Sequence, residues 1–321
     1  MAFWVPSPEL FRNHEIWYRL LSSNGKTKMS KISDSPDQPG SPFLAERLMR
    51  QAKRPKDDPS ELAQEFAFEA YEATSEEAAL ELADKALLVD PDCVDALTIR
   101  AFITSEDAGE LVAALEYAAS CGEKELGEDF FAEFMGDFWP MVEARPYMRT
   151  IKQLAEVLWD VGRRFDAVAH YENLIDLDPA DHMGNSTLLL GYYLSMGEIQ
   201  RSWDLLEEYN DDSEAVSNWA WVLLFLMVGD EDAARDALEH AMEANPHVAM
   251  LLVGMGAEPE EELPPMPVPG SEREAFLCLD ILGDAWERGG AAQWWLYNVL
   301  VDMGLIVSRD EGNEGETPSA H

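Results

Sequence analysis

From Ser60 onward, apolar residues recur three and four positions apart in short runs, and Gly, Pro or Asp marks the breaks between runs. That spacing predicts a succession of short amphipathic helices. No extended stretch alternates apolar with polar residues, so no strands are expected and the chain reads as all-α. Three of the helices close on a similar phrase: Lys85-Ala86-Leu87-Leu88-Val89-Asp90-Pro91, Asn173-Leu174-Ile175-Asp176-Leu177-Asp178-Pro179 and His240-Ala241-Met242-Glu243-Ala244-Asn245-Pro246. Proline cannot continue the helix, and the Asp or Asn before it suits a turn.

The prolines of these phrases lie 88 and 67 residues apart. Two units of about 34 residues account for the shorter gap. The longer one carries an excess of about 20, and the aromatic segment 127–147 is about that long; removing it brings both gaps into register. A helix–turn–helix unit of this length resembles the tetratricopeptide repeat, and five stretches carry the pattern. Met148–Asp181 has Ile151, Leu154, Ala155 and Leu158, Gly162 at the turn, then Ala167, Tyr171 and Pro179. Ala215–Val248 has Asn218, Trp221, Val222 and Phe225, Gly229, then Ala234, Leu238, Ala241 and Pro246. Met183–Asp212, Ser60–Cys93 and Val94–Gly122 match less completely. Small residues at such positions let two helices approach, large ones fill the gap to the next unit, and at least three units must stack to bury a core. The resemblance implies a right-handed superhelical solenoid. A narrower one, carried by Phe138-Trp139, by Glu143-Ala144-Arg145-Pro146-Tyr147-Met148-Arg149 and by Glu243-Ala244-Asn245-Pro246, is to bacterial relatives of the suppressor-of-tumorigenicity-seven family; it implies no enzymatic activity.

Composition divides the chain. Among 321 residues, 63 Asp and Glu face 23 Lys and Arg for a net charge of −40, yet residues 1–58 are slightly basic. A body this acidic repels phosphate backbones, so nucleic acid is not an expected partner. The longest uncharged apolar stretch, Ala215–Val228, is too short to span a bilayer, so no direct membrane insertion is expected. Three scattered cysteines suit a reducing, cytoplasmic setting. The expected organisation is an N-terminal extension over 1–58, largely mobile with one short helix near Phe43–Ala52, and a solenoid over 59–253. A proline-rich linker at 254–270, a helical pair over 271–305 and a disordered tail at 306–321 complete the chain. Residues 1–28 differ in character from the Pro- and Ser-rich segment after them, and Met29 is an alternative initiator.

No nucleotide, zinc-protease or hydrolase motif occurs, and no cofactor is expected. Asp176, Asp178, Asp181 and His182 lack the glycine and glutamate of a calcium loop and sit where acids cap helices. The reading is therefore a non-catalytic scaffold that binds a basic or apolar protein or peptide along a concave face lined by the first helix of each unit. At helical spacing that face presents Arg149, Lys152, Glu156 and Trp159, then Thr187, Gly191 and Leu194, then Val216, Trp219, Leu223 and Leu226. Trp159 and Trp219 are the expected anchors. Phe138 and Trp139 in the aromatic insert form a second partner-binding patch, unless the insert packs across the junction of repeats two and three. The alternative to a scaffold is a self-assembling structural protein whose groove is closed by its own C-terminal helices.

Overall fold

The computed structural model describes residues 43–53, 58–209, 214–256, 267–288 and 290–306. The Met29 start, most of the N-terminal extension, the centre of the proline linker and the tail beyond Ile306 lie outside the described residues, while Ile306 itself, expected in the disordered tail, is buried in the apolar core of the C-terminal helices. Within them the chain is all-helical, without strands, and its helices pack consecutively against their neighbours. The fourteen helices among these residues are α1 (Leu44–Lys53), α2 (Pro59–Tyr71), α3 (Glu76–Val89), α4 (Val94–Thr104), α5 (Ala108–Phe134), α6 (Arg145–Asp160) and α7 (Arg164–Leu177). They continue with α8 (Asn185–Met196), α9 (Ile199–Tyr209), α10 (Ala215–Val228), α11 (Glu231–Ala244), α12 (His247–Leu252), α13 (Glu272–Arg288) and α14 (Ala291–Asp302).

Local chemistry sets the boundaries. Asp58 accepts from the Ser60 amide (3.1 Å) with Pro59 in the first turn, Ser75 from Ala78 (3.2 Å), Asp107 from Glu110 (2.9 Å) and Asp230 from Ala233 (3.0 Å). Each supplies an oxygen to a helix-start amide that has no partner inside its own helix. Asp181 does the same for α8, accepting from the amides of Asn185 (2.6 Å) and Ser186 (2.9 Å). Asp90, Asp178 and Asn245, each preceding a proline, are the residues at which α3, α7 and α11 stop.

The described helices group into two compact units, residues 1–186 and 187–321. In the first, hairpins α2/α3, α4/α5 and α6/α7 succeed one another, and their first helices α2, α4 and α6 also pack side by side. Ala63, Ala67, Ala70, Ala79, Ala83 and Ala86 are fully buried where α2 crosses α3, as close helix approach requires. Leu154, Ala155, Leu158, Ala167 and Tyr171, the pattern residues of the third hairpin, are buried in the same way. The aromatic segment lies between the α4/α5 and α6/α7 hairpins, helical as far as Phe134 and without helix over 135–144. It prolongs α5 beyond a bend at Gly127 (φ 75°), and Phe131 then meets Phe138 and Tyr147 at ring centroid distances of 5.0 and 5.5 Å. The Phe138 amide donates to the Leu177 carbonyl (3.1 Å), tying the segment to the end of α7.

The short helix expected near Phe43–Ala52 is present as α1, and what the sequence did not foresee is that it is seated. It is docked, burying Phe43, Glu46, Arg47 and Arg50. It packs through those side chains rather than through a run of leucines, which is why the composition of the segment gave no hint of a seat.

In the second unit α10 and α11 form a hairpin, and Trp203 of α9 meets Trp221 of α10 edge-on at 5.0 Å. Helix α13 packs on α10 and α12, and α14 comes next. Ser271 caps α13 by accepting from the Glu274 amide (3.2 Å), while the Glu274 carboxylate accepts from Gly270 N and Asn245 Nδ2, both at 2.8 Å. The capping residues of α13 thus also fasten it to the Asn245-Pro246 turn.

Candidate functional site

The faces made by the first helices are where the repeat pattern places binding residues, and both units carry a helix of the same chain on that face. In the first unit α1 lies against α2 and α6 and, through Arg149, is joined to α4. The Phe43 ring stacks on Phe68 (4.8 Å) and Tyr71 (5.2 Å) of α2. Arg47 pairs with Glu65 (2.9 Å) and Glu72 (3.1 Å), and Arg50 with Glu61 (3.2 Å) and the Val142 carbonyl (2.8 Å). Arg149, buried on α6, donates Nη1 to Glu46 of α1 (2.8 Å) and Nε to Asp95 of α4 (3.1 Å). Asp95, wholly buried, also accepts from Gln64 Nε2 (2.6 Å) and the Tyr71 hydroxyl (3.2 Å).

Electrostatics follows from this enclosure. Burial pushes the Asp95 carboxyl up, but the adjoining Arg149 guanidinium, with the Gln64 amide and the Arg50 charge, more than reverses that and holds it below the usual carboxylate range. For Arg149 burial acts downward, and Asp95 and Glu46 together raise it well above its ordinary value. Two carboxylates around one guanidinium leave little hydrogen-bonding capacity over, which satisfies a set of charges that would otherwise be costly to bury.

Of the residues singled out from the sequence, Arg149 and Lys152 are therefore buried side chains. Lys152 donates to the Met183 carbonyl (2.8 Å), and its burial lowers its pKa although Glu156 and Asp181 act the other way. Beside it, Gln153 Oε1 and both polar atoms of the Asn185 side chain are buried without a hydrogen-bond partner. Trp159 is half-buried with the Arg164 guanidinium 4.7 Å from its ring. Phe138 is fully buried, whereas Trp139 is half-buried between Arg145 (4.5 Å) and a stacked His182 (5.8 Å). Asp178 accepts from the His182 amide and pairs with its Nδ1, both at 2.9 Å, so Asp178 and Asp181 are engaged in holding the approach to α8.

In the second unit Trp219 and Leu223 are buried too, and the reason is α13. Trp219 meets Trp286 of α13 (6.1 Å, edge-on) and donates Nε1 to the Asn245 carbonyl (3.2 Å). Leu194, Leu223, Cys278, Leu282 and Trp286 share one apolar core. Gly191 of α8 sits so close to α13 that a Cβ there would fall 2.9 Å from Ile281 Cγ2, and nearer still to the Ile281 carbonyl oxygen. The groove predicted over α8 and α10 is thus filled from within. Beside it a cleft of about 420 Å³ remains, lined by Leu194, Leu223, Leu226, Ala285 and Trp295 with Arg288 and Glu231 at its polar edge.

Sequence reasoning missed Glu46, Arg47, Arg50 and Asp95. The available signal was periodicity without hydrophobicity: Phe43, Glu46, Arg47 and Arg50 fall at i, i+3, i+4 and i+7, one face of a helix. Among the described residues no group of His, Cys, Asp and Glu is arranged to hold a metal, and no helix is long and apolar enough to cross a membrane. No protein-family model matches the chain, and no curated protein matches it significantly.

Proposed function

We propose that the chain is a non-catalytic adaptor of tetratricopeptide type, wound as a right-handed solenoid, whose first-helix faces receive helical segments of other proteins. One observation carries the reading: in each unit this face already holds a helix, α1 on α2 and α6, and α13 on α8 and α10. A surface that seats helices of the same chain has the spacing and side chains to seat others. With a net charge of −40, basic or apolar segments are favoured over acidic ones. Of the four aromatic residues singled out from the sequence, Trp139 and Trp159 are half-buried and Trp219 and Phe138 enclosed, so a partner would meet the first two.

The test is a displayed library of helical peptides screened against the purified full-length protein. Saturable one-to-one binders enriched in arginine, lysine and apolar residues are expected, weakened several-fold by Trp139→Ala or Trp159→Ala. A library that yields no saturable binder would overturn the reading.

The burial of Trp286, Leu282 and Cys278 between α13 and the rest of the second unit favours a second reading, a structural protein closed by its own C-terminal helices that acts by self-assembly. Sedimentation separates the two. A defined oligomer that persists from low to high salt supports self-assembly, and a monomer at both supports the adaptor.

A further inference from the structure

Helix α1 is amphipathic in the reverse of the usual sense. Its buried face is Phe43, Glu46, Arg47 and Arg50, while Ala45, Leu48, Met49 and Ala52, at the same helical spacing, face outward; Leu48 is 57% and Met49 47% exposed. Charge pairing to Glu61, Glu65, Glu72 and Arg149, with one aromatic ring on Phe68 and Tyr71, is what holds it. Helix α13 is held differently, by fully buried Cys278, Leu282 and Trp286.

The energetics of the two seats differ accordingly. Burying large apolar side chains is strongly favourable. Buried ion pairs come close to breaking even, because each charge gives up its water. A helix of ten residues does not persist alone, so of the two seats that of α1 is the weaker, with Phe43 its one large buried apolar side chain. What α1 leaves behind on departing is specific. Glu61, Glu65 and Glu72 lose their arginine partners beside an aromatic platform of Phe68 and Tyr71, while Arg149 loses Glu46 but keeps Asp95, which leaves an excess of negative charge suited to a cationic helix.

We infer that α1 is a reversible occupant of this seat, and that the seat accepts in trans an amphipathic helix with an aromatic residue followed four and seven positions later by arginine. The inference rests on the adaptor reading and names the chemistry of its ligand in the first unit. The probe is a fluorescent peptide of residues 43–53, titrated by anisotropy into the full-length protein. A double variant, Arg47→Glu with Arg50→Glu, repels α1 from its own seat. It should bind the peptide at least tenfold more tightly than the unaltered chain, in which α1 competes. Adding Glu61→Arg and Glu72→Arg restores charge complementarity in cis and should abolish that binding, and a scrambled peptide should not bind at all. Equal binding to the unaltered chain and the double variant, or binding to neither, overturns the proposal.

Should the double variant fail to fold by circular dichroism, hydrogen exchange on the unaltered chain decides. Amides of α1 should exchange at least a hundredfold faster than those of α4 and α6; equal protection overturns the proposal. Library binders obtained while the peptide binds neither chain would sink this seat and leave the adaptor standing.

Discussion

Asp95 shows how much one carboxylate can organise. It accepts from α2 through Gln64 and Tyr71 and from α6 through Arg149, so three first helices meet at its two oxygens. Removing one partner of a buried pair strands the other, which typically costs about 3–5 kcal/mol. Asp95→Leu and Arg149→Met should each destabilise on that scale, and the double variant should cost less than the sum by about 0.5–3 kcal/mol. Chemical denaturation of the four proteins measures the coupling, and strict additivity would show that the pair acts independently. The pH dependence comes from the lowered Asp95 pKa. Its stabilisation is present above the unfolded value of about 4 and is lost as pH falls through the lower folded value. The gap in stability between the natural protein and Asp95→Asn should therefore narrow below about pH 4.

Between elements, contact distance is decided by single positions. Gly191 allows α8 and α13 to approach until no side chain fits between them. Gly191→Ala should push α13 outward, with a loss of about 1–3 kcal/mol typical of overpacking. The Trp219–Trp286 pair should report this as a shift in intrinsic fluorescence, and unchanged fluorescence with an unchanged melting temperature would show that α13 is not seated as described. The contrast with α1 lies in the composition of the contact faces. Trp286, Leu282 and Cys278 enter an apolar core, whereas Glu46, Arg47 and Arg50 enter a charged one. The Gly127 bend is a third kind of decision. It re-aims the end of α5 so that Phe131 reaches Phe138 and Tyr147.

For the whole molecule, charge is the dominant global quantity. A net charge of −40 repels itself, and the Debye length shortens to about 10 Å at 0.1 M salt. Raising sodium chloride from about 0.02 to 0.3 M should therefore raise the melting temperature by several degrees, with about 2–4 °C for each kcal/mol gained. A falling melting temperature would mean that attractive pairs such as Arg163–Glu116 and Arg163–Asp166 outweigh the repulsion.

The helical class and the places where α3, α7 and α11 stop were legible in the chain itself, because apolar periodicity, caps and prolines act over a few residues and need no distant partner. Ala155, Ala167, Ala234 and Ala241 could be read as contact positions for the same reason. What covers those contacts was not legible. Trp219 reads alike whether it faces solvent or Trp286, and Arg149 reads alike as a ligand-binding cation or as the partner of Asp95, 54 positions away, and of Glu46, 103 positions away. Burial depends on which segment returns from far along the chain. That is set by shape and charge complementarity in three dimensions, so only the tertiary structure decided that α1 and α13 lie where binding residues were expected.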